Sequence, residues 1–289
     1  MNSKIAITSF ASISPLGNDS VAVWEAYQSE KSLIKPNPIG TSTVFASSLS
    51  EENKKRVASL RLTESKYKFL DDSVLFAILA SRQAVEIAGW DEEAVFGINI
   101  GSSRGATQLF EKHHAEFLST GKAQTLASPT TTLGNISSWV AQDLQNNGPE
   151  ISHSITCSTA LHALLNGIAW LKSGMADKFL VGGSEAPLTD FTIAQMRALK
   201  IYSRLDQDAD PWPNLAFDFE KSQNTMILGE GAAVCCLEAG EKENAIAYVT
   251  GVGYATEILE HNISISAEAD CFQKSMKMAL GDMDLKSID

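Results

Sequence analysis

The chain of 289 residues is 44% hydrophobic and 20% charged, and its 35 acidic against 23 basic side chains give a formal net charge of -12 at pH 7. It is long enough to bury a large core in one large domain or two smaller ones. The acidic balance argues against nucleic acid or an anionic membrane as partner, since both need basic surface.

The opening Met1-Asn2-Ser3-Lys4 is no signal peptide, and no apolar run is long enough to span a bilayer. The expected location is cytoplasmic. Cys157, Cys235, Cys236 and Cys271 show neither metal-ligand spacing nor a disulfide framework and read as reduced thiols. No metal or organic cofactor is expected.

In chain order, Ile5-Ala6-Ile7-Thr8 predicts a short buried strand, followed by a loop with the turn residues Ser14-Pro15-Leu16-Gly17-Asn18. Asp19-Ser20 can cap a helix carrying Val23, Trp24 and Tyr27. From Lys31 to about Ser50 the Pro, Gly, Ser and Thr content predicts loop. The stretch Lys54 to Lys68 is locally basic, with Arg61, Lys66 and Lys68 among its cations. A long helix is predicted from about Asp71 to Ala88, ended by Gly89.

Phe96 to Gly101 predicts a strand entering the turn Gly101-Ser102-Ser103-Arg104-Gly105, which lacks both the lysine of a phosphate loop and the spacing of the dinucleotide motif. Phe110 to Thr132 is polar and mixed, an expected excursion from the core, and Asn135 to Leu144 predicts a helix. Further on, Phe179 to Gly183 reads as a strand and Thr189-Asp190 as a helix start, with an aromatic, proline-bearing loop over Asp206 to Phe219. Ile227 to Glu238 predicts a glycine-interrupted hairpin, Ala245 to Tyr254 a strand and Ala267 to Leu280 an amphipathic helix. Strands alternating with helices predict an α/β fold with a largely parallel sheet.

The stretch that organises the chain is Ser152 to Leu165. Its first half reads as a strand ending at Thr156, and its second as a helix with apolar Leu161, Leu164, Leu165, Ile168 and Leu171. Cys157 falls at the join. There, backbone N–H groups and the positive end of the helix dipole favour a thiolate, as a nucleophile requires. The alternative is that Cys157 is a small buried hydrophobe.

Several of these stretches together resemble the β-ketoacyl synthases, condensing enzymes of the thiolase fold. The opening strand with Ser14-Pro15-Leu16-Gly17-Asn18 and Trp24, the turn Thr156-Cys157-Ser158-Thr159-Ala160-Leu161, Gly182-Gly183-Ser184-Glu185, and Phe217-Asp218 with Gly229-Glu230-Gly231-Ala232 occur in family order. Phe219 to Leu228 departs from the family, being longer and lacking its Arg-Asp-Gly type segment. The resemblance implies an α/β, thiolase-like fold with a complete first half (1–240, the N-terminal ketosynthase half) and an incomplete second half (241–289).

It also implies that Cys157 holds the nucleophile position. The family's pair of catalytic histidines matches none of His113, His114, His153, His162 or His261, because both lie beyond the position matching Asp289. His162, five residues after Cys157 on one helix, is expected to point away from the turn.

The implied role is a non-catalytic, chain-length-factor-like partner. It would heterodimerise with a full-length ketosynthase in type II polyketide (aryl polyene systems among them) or fatty acid elongation. The pairing strand would be Ile151-Ser152-His153-Ser154-Ile155-Thr156. An acyl carrier protein is a further implied partner, with Arg61, Lys66 and Lys68 as docking residues; a solvated helix face is the plain alternative for them. Two other readings stay open: an acyl-transferring enzyme using Cys157, and a piece of an ordinary 3-oxoacyl-[acyl-carrier-protein] synthase.

Overall fold

The computed structural model describes residues 4–133, 135–204, 212–258 and 268–288. The first strand, β1 (Ile5–Ile13), is longer than predicted because it runs the length of a partner strand laid down much later in the chain. Asp19 caps α1 (Ser20–Gln28) by accepting from the Val21 and Ala22 amides. The predicted loop after it is instead a hairpin, β2 (Lys35–Ile39) and β3 (Ser42–Ala46). Pro36 and Pro38 obscured it: proline usually argues against a strand, but a two-stranded ribbon has edges where the missing donor costs nothing.

The basic stretch is divided between α2 (Glu51–Thr63), which carries Arg61, and a 3₁₀ turn, Ser65–Tyr67, so Lys66 and Lys68 lie beyond the helix. The long helix α3 (Asp72–Ala88) follows the prediction, capped by the Asp71 carboxylate and closed by left-handed Gly89. After β4 (Gly97–Gly101) the expected excursion is two helices, α4 (Thr107–Thr120) and α5 (Ala127–Thr131). Then come α6 (Asn135–Asp143), β5 (Glu150–Ile151), α7 (Thr159–Ser173), β6 (Lys178–Glu185) and α8 (Asp190–Ala198). The predicted hairpin is one strand, β7 (Gly231–Ala239). The predicted strand over Ala245 to Tyr254 shrinks to β8 (Ala247–Val249), and α9 (Asp270–Leu280) follows. Part of the aromatic loop and His261 lie outside the described residues.

The main sheet runs β5-β4-β6-β7-β1-β8. It is mixed rather than largely parallel: β4 pairs in parallel with β5 and β6, while β6–β7, β7–β1 and β1–β8 are antiparallel. Alternation along β6 and β7 sends Leu180 and Cys236 to the face covered by α3 and α6, and Phe179, Val181 and Leu237 to the face covered by α7. Gly167 lets α7 settle onto that face, since a Cβ there would stand 2.5 Å from the Val181 side chain. Of the predicted apolar stripe Ile168 and Leu171 are buried and Leu164 packs against the same core, while Leu161 is exposed; Thr159, Ala163 and Gly167 are the other buried positions of α7. β4 and β6 are parallel, and β1 runs the same way because both it and β6 are antiparallel to β7, so the carboxyl ends of β1, β4 and β6 lie at one rim.

Candidate active site

Cys157 sits at that rim, in a single 3₁₀ turn, Thr156–Ser158, that leads into α7. The expected strand up to Thr156 ends at Ile151. Beyond it one backbone bond remains, Ser102 N–H to the His153 carbonyl at 3.3 Å, and side chains take over: Ser152 Oγ donates to the Ile100 carbonyl at 3.1 Å and Ser154 Oγ to that of Ser103 at 3.0 Å. Thr156 takes a left-handed φ of 46°, unfavourable for a β-branched residue. Thr159 holds it there, its Oγ1 donating to the Thr156 carbonyl at 2.6 Å while accepting from the Ile155 amide at 2.9 Å.

The thiol is therefore presented outward. Cys157 is exposed, which removes the reading of a small buried hydrophobe. Two other thiols lie within the sheet, where burial pushes Cys235 up to about 11 and Cys236 up to about 12.

Cys157 opens on a cavity of about 490 Å³ walled by Thr156, Ala160, Ser103, Arg104, Glu185 and the Gly229–Ala233 approach to β7. Ligand sites at the carboxyl ends of strands are the rule in α/β sheets. Glu185, at the end of β6, accepts from the Ser103 amide and is held also by the Ser102 hydroxyl and the Arg104 amide. Burial raises its pKa, and those bonds oppose the rise. The Ser103 and Arg104 amides, which a phosphate loop would offer to an anion, thus serve the chain's own carboxyl group. Glu185 was visible in the sequence only as part of a family match; no spacing signalled this role. Arg104 is in turn fixed to α8, Nη1 donating to Gln195 Oε1 at 2.7 Å.

Among the described residues no histidine lines this cavity. The His162 ring does not point away from the turn as expected; it reaches back along α7, Nδ1 lying 3.1 Å from the Ser158 carbonyl. His153 Nδ1 lies 3.1 Å from Asn99 Oδ1, and burial holds its pKa below the ordinary value. His113 and His114 are on α4.

The docking residues are divided. Arg61 donates to the Leu70 carbonyl at 2.7 Å and pairs with Asp72; Lys66 pairs with Glu64 at 2.9 Å; Lys68 lies over the Phe69 ring at 5.4 Å. Among the described residues no group of three or more His, Cys, Asp or Glu could hold a metal ion, and no helix is long and apolar enough to cross a membrane.

A thiol on a strained turn at the rim of a helix-covered mixed sheet fits a thiolase-like condensing fold. The family model for the β-ketoacyl synthase N-terminal domain matches residues 2–243, and the chain belongs to that family. It is 27% identical to a 3-oxoacyl-[acyl-carrier-protein] synthase 2 of Coxiella burnetii, over 96% of this chain and 69% of the relative. Against one from Staphylococcus aureus it is 26% identical, over 100% of this chain and 71% of the relative.

Its fold is similar to that of a ketosynthase solved with its type II polyketide acyl-carrier protein (TM-score 0.80, 19% identity, 98% of this chain and 70% of that one). It is also similar to a complex of a ketosynthase with its chain length factor from Xenorhabdus doucetiae (TM-score 0.75, 16% identity, 96% and 67%). The fold is thiolase-like, and the chain spans about 70% of the length of these relatives, so the second half is present in part.

Proposed function

We propose that this chain is a ketosynthase-like partner subunit, which pairs with an active β-ketoacyl synthase during polyketide or fatty acid chain elongation and leaves the condensation to it. The observation that carries the reading is the chemistry of the Cys157 cavity. The described residues give it a thiol, the Glu185 carboxyl and Arg104, but no imidazole. Condensation requires an acyl-thioester acceptor together with groups that stabilise the carbanion left when a malonyl thioester loses carbon dioxide. Removing one group that stabilises developing charge costs on the order of 100- to 1,000-fold in rate.

In this proposal the partner supplies those groups, a reading supported by fold neighbours in which a ketosynthase is paired with a chain length factor. The contact would use the β5 edge and the segment through Thr156, since β5 closes the sheet and an unpaired strand edge is a template for another chain. An acyl carrier protein is the expected donor of substrate, and Lys68 is the docking residue left without an ion pair among the described residues. Co-expression with a full-length synthase should yield a heterodimer whose elongation activity survives Cys157→Ala in this chain. Failure to form the pair, or loss of all activity in that variant, overturns the proposal.

The exposure of Cys157 on its cavity favours a second reading, in which the thiol accepts an acyl group without condensing it. Incubation with an acyl-carrier thioester followed by intact-mass measurement distinguishes the two: an adduct lost in Cys157→Ala supports acyl transfer, and no adduct rejects it.

A further inference from the structure

A second cavity, of about 800 Å³, lies between the entry to α3, α4 and α5, and it shares no lining residue with the one at Cys157. We propose that it binds a single-chain amphipathic anion, a fatty carboxylate, with the tail against Phe69, Leu70, Leu109 and Leu126 and the carboxylate between Lys68 and Lys112. This inference does not depend on any role for Cys157.

The apolar side of the argument is surface left wet. Leu70 is buried beneath the cavity, while Phe69 and Leu126 remain 54% and 46% exposed. A volume of this size is within the range of small-molecule sites, which pair apolar walls with a few placed polar groups, and a medium-length alkyl chain fits inside it.

The polar side is an imbalance of charge. Arg61 is occupied by Asp72 and by the carbonyls of Lys68 and Leu70, so it offers no free head. Glu116 also lines the cavity and accepts from the Gln124 amide, which leaves its single negative charge to be set against the lysines. Lys68 and Lys112 line the cavity with no ion pair among the described residues, in a chain whose net charge is -12. Both lysines are exposed, so a carboxylate between them gains two modest, salt-screened attractions, and the apolar wall supplies the rest.

The two halves of the site select together. A small anion such as acetate would leave Phe69 and Leu126 wet, and a cationic amphiphile would meet the lysines with the wrong sign. Carboxylate and chain are both required.

The test is calorimetric titration of the full chain with sodium dodecanoate, alongside acetate and dodecyltrimethylammonium. One-to-one binding of dodecanoate alone is expected, weakened at least tenfold by Lys68→Glu/Lys112→Glu and by Leu126→Asp, each with unchanged thermal melting in the absence of ligand. No binding, several equivalents bound, acetate or the cation binding as well as dodecanoate, or unaltered affinity in the double variant overturns the proposal. So does protection of Cys157 from iodoacetamide at the same dodecanoate concentration, because that places the ligand in the other cavity.

Discussion

Helices α3 and α9 read alike in sequence and differ in what the fold does with them. Ten residues of α3 are buried, from Ser73 to Ala88, because it lies across the sheet with α2 and α6 beside it. None of α9 is buried, although its apolar and polar faces are the more sharply divided; Phe272 and Met276 stay exposed. What anchors α9 is backbone: Gly251 and Gly253 lie against the Ala279 and Ser275 carbonyls, and the Cys271 amide donates to Glu257 at 3.0 Å. An amphipathic pattern announces a helix. It does not say that anything covers the apolar face.

That contrast can be broken most forcefully at Leu75, fully buried in α3. Leu75→Ala should lower unfolding free energy by about 2–5 kcal/mol, the usual cost of a core truncation with its cavity, and urea denaturation would read it. A loss below 1 kcal/mol would mean that α3 is not the packed centre described above.

Next comes the clasp between α3 and α6, where Asp143 accepts from Arg82 at 2.7 and 2.8 Å and also from the Tyr67 hydroxyl. Asp143→Ala should cost about 1–3 kcal/mol, as expected when hydrogen-bonded partners are left unsatisfied. Burial, then Asp143, pushes Tyr67 up to about 12. The same variant should therefore bring tyrosinate absorbance in at lower pH, and an unmoved titration would contradict the clasp.

A smaller effect is expected at Glu185. Burial raises its pKa in the folded chain, so its contribution to stability is fully present below the unfolded pKa and is lost as pH rises through the folded value. Glu185→Gln should gain in melting temperature relative to the parent as pH is raised from the carboxylate range to neutrality. A gain that shrinks over that interval would reverse the sign argued here. Least of all should matter Phe272→Ala on α9, within about 0.5 kcal/mol, the range for exposed positions.

The sequence made much of this legible where local rules suffice. The Asp71 cap, the α3 periodicity and Gly89 bounded that helix closely, and the helix opening just after Cys157 was foreseen although the strand before it ends earlier, at Ile151. The failures share a cause: the deciding partner was far along the chain. β1 outran its prediction because β7 pairs with it from Ile5 to Ile13, and the Lys35–Ala46 hairpin forms despite two prolines. The role of Glu185 depends on an amide 82 positions away, which no local pattern encodes.

The posture of Thr156 has a kinetic corollary. Its left-handed backbone is kept in place by two bonds to one hydroxyl, that of Thr159, rather than by the ladders that secure the sheet. Segments secured so locally open at lower free energy than the global transition. Amides around Thr156 should therefore exchange with deuterium well before those of β6, and a glycine at that position would quieten the difference in backbone preference while leaving the side-chain tether to Thr159 Oγ1 intact.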